Sequence, residues 1–200
     1  MKLLESGTVI KYNGELSPDN DELKFFKEVL SISDDVIFKQ EFLNIFMTDN
    51  IVIKSLMDKY EDISSNSTFS CDTIQLTIRA YNEGVGAKYL THIDVNDSKN
   101  KLIRCYLFTE YIPQIQNTFD KKAIRNFAIK ISKTTLKFHP DFWYTNICIN
   151  EDEELKAIDW DYYMYNEAIL CATTEEEYIE NMMAQYMRKY YHKHRKKIPY

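Results

Sequence analysis

Short apolar runs bounded by polar residues dominate the first half of the chain, whereas apolar residues at helical spacing dominate the second half. Runs of the first kind predict strands, and helical spacing predicts amphipathic helices. The predicted strands are Val9–Tyr12, Val36–Phe38, Leu43–Met47, Ile51–Leu56, Ala87–Ile93 and Leu102–Thr109. The predicted helices are Glu22–Leu30, Thr73–Asn82, Lys121–Leu136 and Glu175–Tyr191.

The order of these elements predicts an α+β chain in two lobes. Three predicted strands follow one another between residues 36 and 56, which indicates an antiparallel meander. The segment Glu61–Thr68 is rich in serine and is predicted to be a loop. In the second half, Ile147–Ile158 has the pattern of a hairpin that turns at Asn150–Glu154.

Composition narrows the class of protein. With 200 residues, 44% of them hydrophobic, the chain can bury one core or two small ones. A formal charge of −6 argues against a protein that coats nucleic acid, so we expect nucleic-acid contact at most through the basic tail Arg188–Lys197, whose alternative interpretation is a solvated helix end. No run approaches the ~20 apolar residues of a membrane span, and we expect a soluble, cytoplasmic protein without a membrane partner.

One stretch carries a recognisable set of polar residues. His139, Asp141 and Asn146 have the spacing HxDxxxxN, and Asp159 follows after the predicted hairpin. Phosphoryl transfer needs such a set, because a carboxylate must orient the attacking hydroxyl and hard oxygen ligands must hold the cations that neutralise the phosphates.

This pattern, followed by Ile158-Asp159-Trp160, resembles the catalytic loop and the magnesium-binding segment of the protein-kinase-like superfamily. The resemblance implies ATP and Mg²⁺ as cofactors. It implies that Asp141 is the catalytic base, that Asn146 and Asp159 are metal ligands, and that His139 braces the loop.

Upstream segments extend the resemblance. Ile51-Val52-Ile53-Lys54 resembles the V-A-I-K strand, which implies that Lys54 contacts the ATP phosphates. The segment Glu83–Leu90 resembles a glycine turn of choline-kinase-like and aminoglycoside-phosphotransferase-like enzymes. The segment that ends in Lys54 supports the resemblance through its order relative to the other motifs.

A hinge-like segment follows the last strand of the first half. Leu107–Pro113 resembles the strand-to-hinge segment of kinases, which implies that Thr109 is the gatekeeper and that the backbones of Glu110 and Ile112 bind the adenine edge. A buried strand that ends in an exposed glutamate would give the same local pattern.

The chain also departs from the family. Gln40–Ile45 stands where a glycine-rich loop is expected, and Trp143 stands where many protein kinases have a lysine. The glutamate that pairs with the strand lysine has no clear counterpart, so we assign its place to Asp72, with Glu61 as the weaker choice.

Together these residues imply a minimal bilobal kinase-like fold in a single domain, with a β-rich N-lobe over residues 1–110, an N-terminal extension over 1–34 and a small helical C-lobe over 111–200. We expect a compact protein serine/threonine kinase that transfers the γ-phosphate of ATP to a hydroxyl of a protein. The alternatives are a kinase of small molecules, a nucleotide-binding pseudokinase and an unrelated α+β interaction protein.

Overall fold

The structure, a computed structural model, describes residues 4–12, 25–26, 39–42, 45–48, 50–56, 63–113, 120–160 and 172–194. Within these ranges the chain is α+β, as the sequence predicts, and it divides into two compact units. Unit 1 comprises the described residues of Met1–Ile74 and Lys88–Tyr111, and unit 2 those of Gln75–Ala87 and Ile112–Tyr200. The elements in chain order are β1 (Thr8–Lys11), β2 (Lys39–Phe42), β3 (Ile45–Met47), β4 (Ile51–Ser55), α1 (Ile63–Asn82), β5 (Tyr89–Asn96), β6 (Leu102–Glu110), α2 (Lys121–Ser132), β7 (Ile147–Ile149), β8 (Leu155–Ala157) and α3 (Glu175–His194).

Unit 1 contains a six-stranded sheet in the order β1-β5-β6-β4-β3-β2. The predicted meander is confirmed for its second and third strands, because β3 and β4 pair antiparallel; β2, which pairs antiparallel with β3, lies outside the predicted strands. At the other edge β1 runs parallel to β5, with Thr8 opposite Ile93. The predicted strand Val36–Phe38 and most of the predicted helix Glu22–Leu30 lie outside the described residues.

An aromatic core covers one face of this sheet. Ile53 and Phe108 are opposite each other on β4 and β6, and both are buried. Phe25 and Phe26, which are helical, are fully buried and pack against Tyr106. Because neighbouring residues of a strand point to opposite faces, Lys54 and Leu107 lie on the other face.

In unit 2, helix α2 presents its apolar stripe to the core. Ile124, Phe127, Ala128 and Ile131 are buried at the spacing of one helical face. Asp120 caps the helix by accepting a hydrogen bond from the Lys122 N–H at 3.1 Å. The helix ends at Ser132, four residues before the predicted end.

Helix α3 begins with a capping box. The Thr174 hydroxyl accepts a hydrogen bond from the Glu177 N–H at 3.2 Å, and the Glu177 carboxylate accepts one from the Thr174 N–H at 3.0 Å. Buried Ile179, Met182 and Tyr186 then place the apolar face of α3 in the same core as α2. The sequence therefore specifies both the start and the orientation of this helix.

The predicted loop Glu61–Thr68 is wrong over its described part, because α1 already begins at Ile63. Serine and asparagine cost only about 0.5 kcal/mol each in a helix relative to alanine. The segment contains neither glycine nor proline, so nothing in it breaks a helix that is held at its other end by buried Leu76 and Ala80.

The two units are compatible with a compact bilobal kinase-like fold. The predicted organisation as one domain with lobes at 1–110 and 111–200 stays a prediction. In the described part of the chain, no helix has the length and apolar character needed to cross a membrane.

Candidate active site

His139 lies at the centre of the loop that follows α2. Its side chain is fully buried, its Nδ1 accepts a hydrogen bond from the Asp141 N–H at 3.2 Å, and its Nε2 lies 2.9 Å from the Ile158 carbonyl oxygen. Since the carbonyl can only accept, Nε2 carries the proton and the ring is neutral. Burial lowers the pKa of His139 to about 4, against the opposing effects of the Ile158 carbonyl and the Asp159 charge. The ring therefore joins the loop to the end of the hairpin.

Asp141 and Asn146 are held against each other. The Asn146 side-chain Nδ2 donates to the Asp141 backbone carbonyl at 3.1 Å and to its carboxylate Oδ2 at 2.9 Å. Both partners are acceptors, so the orientation of the amide is fixed by the network. The amide oxygen of Asn146 consequently faces away from Asp141, and its described contact is the Thr145 hydroxyl at 3.5 Å.

The β7–β8 hairpin connects this loop to Asp159. Ile147 pairs with Ala157, and the Ile158 N–H donates to the Asn146 carbonyl at 2.9 Å. Asp159 is the next residue, and its φ of 63° lies in the left-handed region that few side chains other than Asp and Asn adopt. Such backbone conformations cluster at functional sites, where the surrounding structure holds them in place.

The turn of the hairpin is formed as the sequence predicts. Asn150 Oδ1 accepts hydrogen bonds from the N–H groups of Asp152 at 3.2 Å and Glu154 at 2.8 Å. Glu153 takes the positive φ that the turn requires. The local sequence thereby fixes the register that brings Ile158 opposite Asn146.

The donor set fits a magnesium ion that is shared with a nucleotide. In the described ranges, no group of three or more His, Cys, Asp or Glu side chains could hold a metal alone. Magnesium in nucleotide sites is bound by one or two protein oxygens together with phosphates and water. The Asn146 amide oxygen and the Asp159 carboxylate supply oxygens of this type.

Two contacts that support the loop were missed by the sequence analysis. Gln185 of α3 accepts a hydrogen bond from the N–H of buried Phe142 at 2.9 Å through its side-chain oxygen. Trp160 packs edge-on against His139, with ring centroids 4.3 Å apart, and its indole N–H donates to the Ala157 carbonyl at 3.0 Å. A glutamine among the apolar positions of α3 was the available signal for the first contact.

The glycine turn after α1 is attached to the hairpin. The Ala157 N–H donates to the Val85 carbonyl at 2.7 Å, and Gly86 forms a bridge to Ala157. A Cβ atom on Gly86 would lie 2.7 Å from the Cβ of Ala80, so only glycine allows this close approach to the helix. The nearly buried Lys156, which the sequence analysis also missed, donates to the Gly84 carbonyl at 3.1 Å.

Unit 1 holds several of the predicted nucleotide contacts. Lys54 on β4 is opposite Leu107 on β6, and Thr109 is opposite Val52, so the Lys54 and Thr109 side chains lie on the same face of the sheet. Asp72 lies on α1 and is partly buried. Its pairing with Lys54 stays a prediction.

Beyond the strand ladder, two backbone N–H groups of the hinge-like segment are in use, and one of them is the Tyr111 N–H, which donates to the Asn50 carbonyl at 2.9 Å. The Glu110 N–H donates to the Lys88 carbonyl at 2.9 Å, and the Glu110 carboxylate accepts from the Lys88 N–H at 2.6 Å. The Glu110 N–H is therefore not available to an adenine edge. In unit 2, the Ile112 side chain packs in a small buried cluster with Ala87 and Cys148.

Fold and site together define an α+β protein whose second unit brings His139, Asp141, Asn146 and the residue before Asp159 into one hydrogen-bonded network. No protein-family model matches the chain. No curated protein sequence matches it either. A solved structure of the bifunctional kinase-methyltransferase WbdD superposes on 73% of this chain and 42% of that chain, with a TM-score of 0.40 and 15% sequence identity. The chain thus spans less than half of that structure.

Proposed function

We propose that the chain is an ATP-dependent phosphotransferase that acts on a hydroxyl group. The observation that carries this proposal is the hydrogen bond between Asn146 Nδ2 and Asp141 Oδ2, which fixes the Asp141 carboxylate and leaves the amide oxygen of Asn146 facing away from it. A base and a cation ligand are thereby held in one short loop, as phosphoryl transfer requires. The same loop is tied through His139 to the segment that carries Asp159.

In this proposal Asp141 orients the acceptor hydroxyl and takes its proton. The Asn146 amide occupies one lone pair of the Asp141 carboxylate and holds it in a fixed direction, which lowers the entropic cost of aligning the acceptor. His139 keeps the Asp141 backbone in place and, being neutral, adds no positive charge next to the base.

Asn146 and Asp159 would hold Mg²⁺, whose positive charge would offset the charge on the phosphates. Asp159 has a left-handed backbone conformation. The hydrogen bond from the Ile158 N–H to the Asn146 carbonyl fixes the position of the backbone that carries its carboxylate. Lys54, Thr109, Asp72, Glu110 and Ile112 are assigned to the same nucleotide by the sequence resemblance.

The proposed acceptor is a protein serine or threonine, because the HxDxxxxN pattern and the strand that carries Lys54 resemble the corresponding segments of protein kinases. A kinase of small molecules is the second candidate. The observation in its favour is the Gly84–Gly86 turn, which lies in the segment that resembles choline-kinase-like enzymes. Gly86 in this turn forms a bridge to Ala157. Transfer to casein in one assay and to choline or an aminoglycoside in another separates the two candidates.

The first test is a thermal-shift titration with ATP, with and without magnesium. At 100 times the dissociation constant, binding adds about 2.7 kcal/mol to the free energy of unfolding, or roughly 5–10 °C for a chain of this size. We expect this rise in the wild type and in Asp141→Asn, with transfer lost in the latter. Asp159→Ala should lose the rise.

Two control variants make the result specific. Asp159→Asn keeps a side chain that tolerates the positive φ and therefore separates loss of charge from strain in the backbone. Asp152→Ala removes an exposed carboxylate from the hairpin turn of the same unit and should bind as the wild type does. A wild type that shows no magnesium-dependent rise would contradict the proposal.

A further inference from the structure

A second cluster of polar side chains lies in unit 1, apart from every residue assigned above. The Ser6 hydroxyl lies 3.1 Å from His92 Nδ1, and the Tyr89 hydroxyl lies 2.7 Å from the same nitrogen. The two hydroxyls also form a hydrogen bond with each other. Ser6 is exposed to solvent, whereas His92 and Tyr89 are half-buried.

The backbone holds Ser6 in this position. Ser6 and Gly7 form the centre of a turn that is closed by a hydrogen bond from the Thr8 N–H to the Glu5 carbonyl at 3.1 Å. Gly7 has a φ of 78°, as the third position of such a turn requires, and its N–H donates to the His92 carbonyl at 3.0 Å. The turn is therefore fastened to the strand residue whose ring contacts Ser6.

The chemistry of the cluster is that of an activated hydroxyl. A serine oxygen within hydrogen-bond reach of an imidazole nitrogen can lose its proton to that nitrogen as it attacks an electrophile. The Tyr89 hydroxyl is protonated at neutral pH, and partial burial raises its pKa further. Because the hydrogen bond between Ser6 and Tyr89 uses the proton of one hydroxyl, only one of the two hydroxyls donates to Nδ1 at a time, and Ser6 is the accessible one.

We propose that Ser6 is a phosphoryl acceptor whose proton is taken by His92. Its Oγ forms a bond to the γ-phosphorus of ATP, the bond from that phosphorus to the bridging oxygen of ADP breaks, and the serine proton passes to Nδ1. With ATP as donor the inference rests on the proposed function, and it names a serine of this chain as one substrate, whose proton goes to His92 instead of to Asp141.

The product would be stabilised where it forms. A phosphoserine carries a charge of about −1.5 to −2 and three acceptor oxygens. The Tyr89 hydroxyl and the newly protonated His92 are two donors already within reach of the Ser6 oxygen. Such charge-assisted hydrogen bonds are stronger than those of the unmodified serine.

The first experiment incubates the wild type with Mg-ATP and maps phosphorylated residues by mass spectrometry. Ser98 is the matched control, because it is also an exposed serine in a turn of unit 1 and, within the described residues, forms no hydrogen bond to a histidine or tyrosine. We expect phosphate on Ser6 and none on Ser98. His92→Gln should slow the modification about a hundredfold, the typical contribution of a general base.

The second experiment does not depend on ATP. Diisopropyl fluorophosphate offers a phosphorus from which fluoride leaves when Ser6 Oγ attacks, with the proton again taken by His92. We expect labelling of Ser6 over Ser98, slowed in His92→Gln and as fast or faster in Tyr89→Phe, which removes the competing donor. A purely structural cluster would not slow labelling in His92→Gln while leaving it as fast or faster in Tyr89→Phe.

The two experiments separate the inference from the proposed function. If ATP is turned over while Ser6 stays unmodified by both donors, the inference is overturned and the proposed function stands. If the fluorophosphate labels Ser6 in a His92-dependent way while ATP neither binds nor reacts, the activated serine stands and the proposed function fails. Equal labelling of Ser6 in the wild type and in His92→Gln would refute the role of His92.

Discussion

The neutral state of His139 makes the stability of the chain depend on pH. Its pKa is about 4 in the folded chain, against an ordinary value of 6.5. Below pH 6.5 the unfolded chain therefore gains a proton that the buried ring does not accept, and the free energy of unfolding falls. The loss begins near pH 6.5 and is complete below the folded pKa.

The magnitude follows from the two pKa values. Linkage between them predicts that lowering the pH from 7 to 5 removes about 2 kcal/mol of the free energy of unfolding through His139 alone. That is a large part of the roughly 5–15 kcal/mol by which folded proteins are stable. Urea unfolding at the two pH values measures this quantity directly.

The informative comparison is with His139→Gln. The glutamine amide can still donate to the Ile158 carbonyl but takes up no proton, so the variant should lose about 2 kcal/mol less than the wild type between pH 7 and pH 5. Carboxylates that titrate in the same range act on both proteins and cancel in the difference. Equal losses in the two proteins, with equal denaturant slopes, would refute the assignment of a neutral buried ring.

Two further changes test the packing that positions the site. Gly86→Ala should destabilise the chain by about 1–3 kcal/mol in chemical unfolding, because the new Cβ meets the Cβ and backbone of Ala80; partial rescue by Ala80→Gly is expected, and a neutral Gly86→Ala would contradict the close approach. Thr174→Ala should cost about 1 kcal/mol in the same assay by removing the N-cap of α3, while Thr174→Ser, which keeps the hydroxyl, should cost much less. Equal effects of the alanine and serine variants would exclude the capping role.

The parts of the fold that could be predicted from sequence are those with strong local signals. The meander and helix α2 follow from apolar spacing, and the β7–β8 turn follows from Asn150, whose side chain closes it. The start of α1 could not be predicted in this way. Residues 63–68 have weak preferences of their own, and the packed C-terminal part of the helix decides their conformation.

The candidate site, like the fold, could be predicted from the sequence only in part. The spacing of His139, Asp141 and Asn146 was visible in the sequence, and the structure joins Asp141 to both of the others through hydrogen bonds. The support from Gln185 was not visible, because it depends on the packing of α3 against the loop, more than 30 positions away in the sequence. The contact of Lys54 with the ATP phosphates and its pairing with Asp72 stay predictions.

The bridge between Gly86 and Ala157 bears on how the chain folds. The hairpin is local and can close within microseconds, but its attachment joins positions about 70 residues apart and must wait for a large loop to close. Contacts of such long sequence separation slow folding. The hairpin should therefore form early and reach its final place late, so that Asp159 acquires its native surroundings among the last steps of folding.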